Sequence, residues 1–223
     1  MFPRVKEVSN NSTLEYSVDF YTKNQTIEID KHKCVGCGIC TKACPKEAIK
    51  TPLRKEKGII SKLELIPEIP NPNNCSYCGT CVYLCPFDAL TLKKNGEKIE
   101  KNDLKIVKNK VVPELTKTMR YCENIFKKIG IYFEGDIDFD YDKCTSCFNC
   151  VEICPTGAVL MVDKSEEHLV YHNVILDDKK CIKCGTCQLV CSKKAIQVSI
   201  NKLNYSGEYK EIFWDELIGR LTN

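Results

Sequence analysis

Sixteen of the 17 cysteines in this 223-residue chain fall into four runs of one spacing, C-x2-C-x2-C-x3-C. The runs are Cys34-Cys37-Cys40-Cys44, Cys75-Cys78-Cys81-Cys85, Cys144-Cys147-Cys150-Cys154 and Cys181-Cys184-Cys187-Cys191. Pro45, Pro86 and Pro155 follow the last cysteine of the first three runs, and Ser192 takes that place in the fourth. The N-terminus, Met1 to Lys6, has neither an apolar h-region nor twin arginines. A reducing, cytoplasmic setting is therefore expected, and there thiols bind metal rather than pair as disulfides. Structural zinc usually takes cysteines as two separated pairs. A contiguous triplet instead wraps a tight loop whose three thiolates suit three irons of a [4Fe–4S] cubane.

These loops need elements to hold them. Short β-branched and acidic stretches precede three of the runs: Ile27-Glu28-Ile29-Asp30, Ile137-Asp138-Phe139-Asp140 and Val174-Ile175-Leu176-Asp177. Ala48-Ile49, Ala89-Leu90, Ala158-Val159 and Ala195-Ile196 follow the four runs at a constant offset. The repeating unit reads as strand, cysteine loop, short helix, strand.

Residues 27–92 and 136–200 each resemble a bacterial-type ferredoxin with two [4Fe–4S] clusters, and the tandem resembles the archaeal polyferredoxins. Within that group the chain is most similar to the polyferredoxin component of formylmethanofuran dehydrogenase. The resemblance implies an α+β fold of tandem bacterial 2[4Fe–4S] ferredoxin-like domains and four [4Fe–4S] clusters. In such ferredoxins the fourth cysteine of a run ligates the other cluster. Cluster 1 is then held by Cys34, Cys37, Cys40 and Cys85, and cluster 2 by Cys75, Cys78, Cys81 and Cys44. Cluster 3 takes Cys144, Cys147, Cys150 and Cys191, and cluster 4 takes Cys181, Cys184, Cys187 and Cys154. The implied role is electron relay, without bond chemistry of its own, to or from a catalytic oxidoreductase partner of the methanogenic type. A freely diffusing polyferredoxin, or a carrier serving hydrogenase or heterodisulfide reductase, is the alternative. A structural zinc or nucleic-acid module is the remote one.

Around the two units, 1–26 is an N-terminal segment and 52–74, rich in Pro and Asn, reads as a surface insertion in the first unit. Residues 93–135 form a charged connector: a lysine-rich solvated stretch or hairpin over 93–112, then an amphipathic helix over 113–129 packed between the units. That helix is expected to start at Pro113, stop at Gly130 and align Leu115, Met119, Cys122, Phe126 and Ile129 on one face. Cys122, the seventeenth cysteine, reads as a buried core thiol in that stripe. A second helix is expected over 212–221 in the C-terminal tail 201–223, with Trp214, Leu217, Ile218 and Leu221 in register to pack or to dock a partner.

Two departures from the repeat concentrate on one site. Gly38, Gly79 and Gly185 follow the second cysteine in three runs, but Phe148 does so in the third, which removes the freedom of glycine and adds an apolar shield. Ser192 replaces proline beside Cys191 and restores an N–H. Hydrogen bonds and solvent access tune cluster potentials, so cluster 3 is expected to differ most from the rest. His32, His168 and His172 form no ligand constellation, and His32 reads as a solvated loop residue.

Composition agrees with an inorganic core. Hydrophobic residues are 43% of the chain with the cysteines counted and roughly 35% without them, which is thin for a conventional interior. No apolar run is long enough to span a bilayer, so membrane insertion is not expected. The formal charge is +3, and four oxidised clusters at about −2 each bring the loaded chain to roughly −5. That sign, with no basic stripe interleaved with aromatics, argues against nucleic acid. No phosphate loop, nucleophile–base pair or flavin fingerprint is present.

Overall fold

In the computed structural model, residues 3–52, 61–162 and 173–222 are described. His168 and His172 lie outside them. Strands β1 (Arg4–Ser9), β2 (Thr13–Asp19) and β3 (Asn24–Asp30) lead into the first cysteine loop and helix α1 (Ile39–Ala43). Helix α2 (Thr80–Tyr83) follows the second loop, and strands β4 (Leu90–Lys94) and β5 (Glu97–Ile99) close a five-stranded antiparallel sheet in the order β1-β2-β3-β4-β5. The N-terminal segment thus adds two strands that its sequence did not advertise. Their alternation is plain once seen, with Leu14, Tyr16 and Val18 of β2 facing the core while β1 is exposed throughout.

After α3 (Lys105–Lys108) come β6 (Glu114–Leu115), β7 (Thr118–Cys122) and β8 (Lys127–Ile131). The helix expected over 113–129 is therefore a hairpin, with Thr118 opposite Ile131 and Cys122 opposite Lys127. The stripe that suggested a helix has members seven residues apart, and that spacing fits equally the two arms of a hairpin folded at 123–126. Leu115, Cys122 and Ile129 are buried as anticipated, but Met119 and Phe126 are exposed, and Phe126 takes a left-handed turn conformation with φ 47°. The hairpin does sit between the halves. Lys127 Nζ donates to Phe87 O (3.0 Å) and Asn124 Nδ2 donates to Cys154 O (2.6 Å).

The second half repeats the first with a smaller sheet. Strand β9 (Phe133–Phe139) precedes the third loop, α4 (Asn149–Ile153) follows it, and β10 (Val159–Met161) pairs with β11 (Val174–Leu176). Helix α5 (Thr186–Val190) follows the fourth loop, and β12 (Ile196–Leu203) returns to pair with β9. Strand β13 (Tyr205–Ser206) pairs with β6, and α6 (Glu211–Thr222) ends the described chain.

One segment departs from expectation, and one open alternative is resolved. Of the insertion 52–74, residues 53–60 lie outside the described set. The rest is no surface excursion: Leu65, Ile66, Ile69 and Pro72 are buried, because their apolar surface covers the first half's core and Lys50 and Glu68 form a β-bridge. Helix α6 buries Trp214, Leu217 and Leu221 against α1 and β12, so its apolar stripe is interior rather than a free docking face.

Candidate metal centres

Strand pairing explains how distant runs meet. In each half the strand before one run pairs with the strand after the other: β3 with β4, and β9 with β12. The remaining two segments also join, through Lys50–Glu68 in the first half and β10–β11 in the second. An aspartate opens three loops. The N–H groups of Asp30, Asp140 and Asp177 donate to Ala89 O, Ala195 O and Ala158 O of the opposite run at 2.8, 2.8 and 2.7 Å. Their carboxylates accept loop amides in turn: His32 and Lys33, Lys143, and Lys179. These aspartates are therefore latches, set by the strand-end acidic residues of the repeat.

This pairing gathers the sulfurs in crossed sets. Cys34, Cys37, Cys40 and Cys85 line one recess. Cys144, Cys147, Cys150 and Cys191 line another. For the other two sets, the thiols acting most strongly on Cys81 are Cys78, Cys75 and Cys44, and those acting on Cys187 are Cys184, Cys181 and Cys154. Each fourth cysteine sits just past the end of its short helix rather than on it.

The donor set fits a cubane. Among the described residues no three His, Cys, Asp or Glu side chains converge on a point that would hold a single ion, as tetrahedral zinc requires. The sulfurs instead line common recesses in crossed sets of four. Every fourth cysteine accepts the amide of the repeating alanine: Ala48 to Cys44, Ala89 to Cys85 and Ala158 to Cys154 at 3.3 Å, and Ala195 to Cys191 at 3.2 Å. The Tyr77 amide likewise donates to Cys75 (3.4 Å). Buried threonine hydroxyls meet Cys78 (Thr80, 3.2 Å), Cys184 (Thr186, 3.4 Å) and Cys154 (Thr156, 3.5 Å). Sequence reading missed these threonines, although the twin Cys-Gly-Thr-Cys segments at 78–81 and 184–187 were a visible signal.

Burial pushes the thiols of Cys34, Cys75, Cys150 and Cys184 up to about 11, and those of Cys37, Cys40 and Cys81 well above their ordinary value. Without a cationic core these groups stay protonated, so loading metal releases protons. Cys122 is fully buried, lies near Cys154 and is pushed up to about 11 by desolvation, in keeping with a core thiol. His32 is exposed, with Nε2 3.4 Å from Ser12 Oγ.

The third loop corrects one expectation. Phe148 does not abandon the glycine conformation but adopts it, at φ 60° against 75°, 85° and 82° for Gly38, Gly79 and Gly185. A left-handed backbone costs a side-chain-bearing residue about 1 kcal/mol. Phe148 also lines the third recess, and Ser192 lies exposed at its edge. Cys147 is the one exposed cysteine of the chain.

Long-range donors also hold the fourth cysteines by their carbonyls. Lys101 Nζ reaches Cys85 O (3.0 Å), and Arg220 Nη1 of α6 reaches Cys44 O (2.8 Å) while its Nη2 pairs with Glu47 (3.0 Å). A guanidinium beside Cys44 favours added negative charge there. Arg220→Gln is expected to leave iron content unchanged and to lower one midpoint potential, that of the site containing Cys44. The scale is on the order of 1 kcal/mol, or some tens of millivolts for one electron. A redox titration followed by electron paramagnetic resonance (EPR) reads it, and four unmoved midpoints would refute it.

Known proteins share this pattern. A family model described as "4Fe-4S dicluster domain" matches residues 33–89 and again 74–158, and a second model of that description matches 143–196. The pyruvate synthase subunit PorD of Methanothermobacter marburgensis is 36% identical over 63 residues, which are 28% of this chain and 64% of that protein. The polyferredoxin-like subunit of an aliphatic sulfonate oxidoreductase from Pyrococcus furiosus is 33% identical over 61 residues, 26% of this chain and 32% of that one. The matches thus span only part of the curated relatives. Among solved structures, a chain of the formate dehydrogenase–heterodisulfide reductase–formylmethanofuran dehydrogenase complex of Methanospirillum hungatei superposes with a TM-score of 0.79. That match covers 100% of this chain and 92% of the other at 20% identity, a likeness of fold.

Proposed function

This chain belongs to the 4Fe-4S dicluster domain family and carries four [4Fe–4S] clusters; from that premise we propose that it is a polyferredoxin subunit relaying low-potential electrons within a formylmethanofuran dehydrogenase-type complex of methanogenesis. Its cluster-binding units are 27–92 and 136–200, joined by 93–135. Cys34, Cys37, Cys40 and Cys85 hold cluster 1, and Cys75, Cys78, Cys81 and Cys44 hold cluster 2. Cys144, Cys147, Cys150 and Cys191 hold cluster 3, and Cys181, Cys184, Cys187 and Cys154 hold cluster 4. The observation that carries this assignment is the recess lined by three sulfurs of one run and the fourth of its partner.

When bound, each cluster supplies reversible one-electron chemistry. The chain's own residues supply the rest. The crossed cysteines fix the sulfurs, the alanine amides and threonine hydroxyls stabilise charge on them, and Pro67, Pro86 and Phe87 keep water from site 1. Among the described residues no helix is long and apolar enough to cross a membrane. The membership in a complex draws on the full-length fold likeness and on relatives that are named as subunits of oxidoreductases.

Site 3 differs from the others at Phe148 and Ser192, so cluster 3 should have the most divergent potential. Ser192→Pro is expected to shift that midpoint alone, and a titration with all four midpoints unmoved would reject the idea. Anaerobic pull-down from native cells tests the assembly. Co-elution with large catalytic subunits supports it, while elution alone would make the chain a diffusing carrier.

A further inference from the structure

Resting on the ligand sets proposed above, we propose that the clusters stand in one series, 2–1–4–3, and that Cys37 and Cys184 join the two halves. Within each half the third cysteines of the two runs are neighbours. Each lies on the helix after its loop: Cys40 on α1, Cys81 on α2, Cys150 on α4 and Cys187 on α5. Helices α1 and α2 touch, as do α4 and α5. Those contacts couple cluster 1 with cluster 2 and cluster 3 with cluster 4.

The junction between the halves comes from different residues. Cys37 and Cys184 line one groove together with Ile39, Lys42, Gln188 and Leu189. Leu189 Cδ1 lies 3.5 Å from where a Cβ on Gly38 would stand, so helix α5 closes over the loop at Cys37 with room for little more than a methyl group between them. Ile182 is part of the first half's core and Cys184 packs against that core, whereas Cys181 and Cys191 pack in the second half's own cluster. The second cysteine of run one therefore faces the second cysteine of run four. Site 3 stands at the far end: none of its cysteines lines the groove between the halves, and it carries the exposed Cys147. Site 2 is the other end: none of its cysteines lines that groove either.

Transfer along this series moves one electron at each step. The donor cluster is oxidised by one as its neighbour is reduced by one, and no bond forms or breaks. Electrons enter from a one-electron donor protein at one end and leave to an acceptor at the other.

Crystals of the unsubstituted holoprotein, with iron located by anomalous scattering, test the order. The expected map has clusters 1 and 4 no farther apart than two clusters of one half, with clusters 2 and 3 outermost. Any other inter-half pair lying closer overturns the order while leaving the ligand sets intact. Fewer than four iron sites, or uncrossed cysteines, would overturn the ligand sets themselves. A second measurement uses the full chain with two ligands of each outer cluster replaced, Cys75→Ala with Cys78→Ala and Cys144→Ala with Cys147→Ala, so that iron is expected only in clusters 1 and 4, about eight per chain. Its fully reduced EPR spectrum is expected to show interacting spins, and two isolated signals would refute the junction. If that variant fails to load, the iron map decides.

Discussion

Removing iron with a chelator, under anaerobic and reducing conditions, is expected to abolish the folded second half rather than merely lower its melting temperature. The reason is the composition of its interior. Of the seven buried residues of its core, Cys150, Cys154 and Cys187 are cluster cysteines, and Cys181 and Cys191 pack around them. Its helices α4 and α5 have five residues each, far below the length at which a helix stands alone. Its sheets are two-stranded, which is marginal by itself. Against this, metal–thiolate binding supplies on the order of 10 kcal/mol per structural site, comparable with the whole stability of an ordinary domain. The first half has a five-stranded sheet and a larger core that includes Tyr16, Ile27, Ile29 and Phe87, so it should keep partial order. Hydrogen exchange of the chelated protein checks this. Residues 136–200 should exchange at nearly the unfolded rate while β2, β3 and β4 retain protection. Native-like protection in both halves without iron would contradict the expectation.

Gly135→Ala should be the most damaging single substitution outside the cysteines. A Cβ there would stand 1.9 Å from Ser199 O and 3.0 Å from Ser199 C, both backbone atoms of the paired strand. No rotamer change relieves such a contact, so β9 and β12 must separate where the ladder already shifts between Ile200 and Lys202. These strands lead into Cys144 and away from Cys191, so the strain falls on site 3. A loss of about 3–5 kcal/mol is expected, with iron content falling first at cluster 3. Gly219→Ala is the control. Nothing lies within 4 Å of that position in α6, and alanine favours a helix by roughly 0.5–1 kcal/mol. Denaturant unfolding with iron determination separates the two, and a neutral Gly135→Ala would show that the strands yield cheaply.

The cysteine loops and the strands around them were legible because cluster ligation imposes a spacing that no other demand on the chain imitates. Ile27–Asp30, Ile137–Asp140 and Val174–Asp177 led to β3, β9 and β11. The tail helix was legible from the spacing of Trp214, Leu217 and Leu221. The connector was not. Its apolar residues recur at seven, a spacing compatible with two geometries, and only the cross-strand partners decide between them. The insertion was misjudged from its prolines and asparagines, because composition records turn chemistry and not what the turns enclose. Leu65, Ile66 and Ile69 were the apolar signal within it. The carbonyl clamps were beyond reach, since Arg220 and Cys44 lie 176 residues apart and neither belongs to a motif that names the other.

Charge adds a consequence for partners. Residues 1–110 carry +6 and residues 111–223 carry −3 before metal is counted, and two clusters in each half bring these to about +2 and −7. The two halves of the sequence therefore carry opposite net signs, which favours partners of different charge.

Iron and acid-labile sulfide, quantified together on anaerobically purified full-length protein with an EPR spin count after full reduction, test the central claim most directly. About sixteen irons and sixteen sulfides per chain, with every reduced cluster accounted for in the spin count, are expected. A colourless protein holding about four zinc ions and little iron would contradict it.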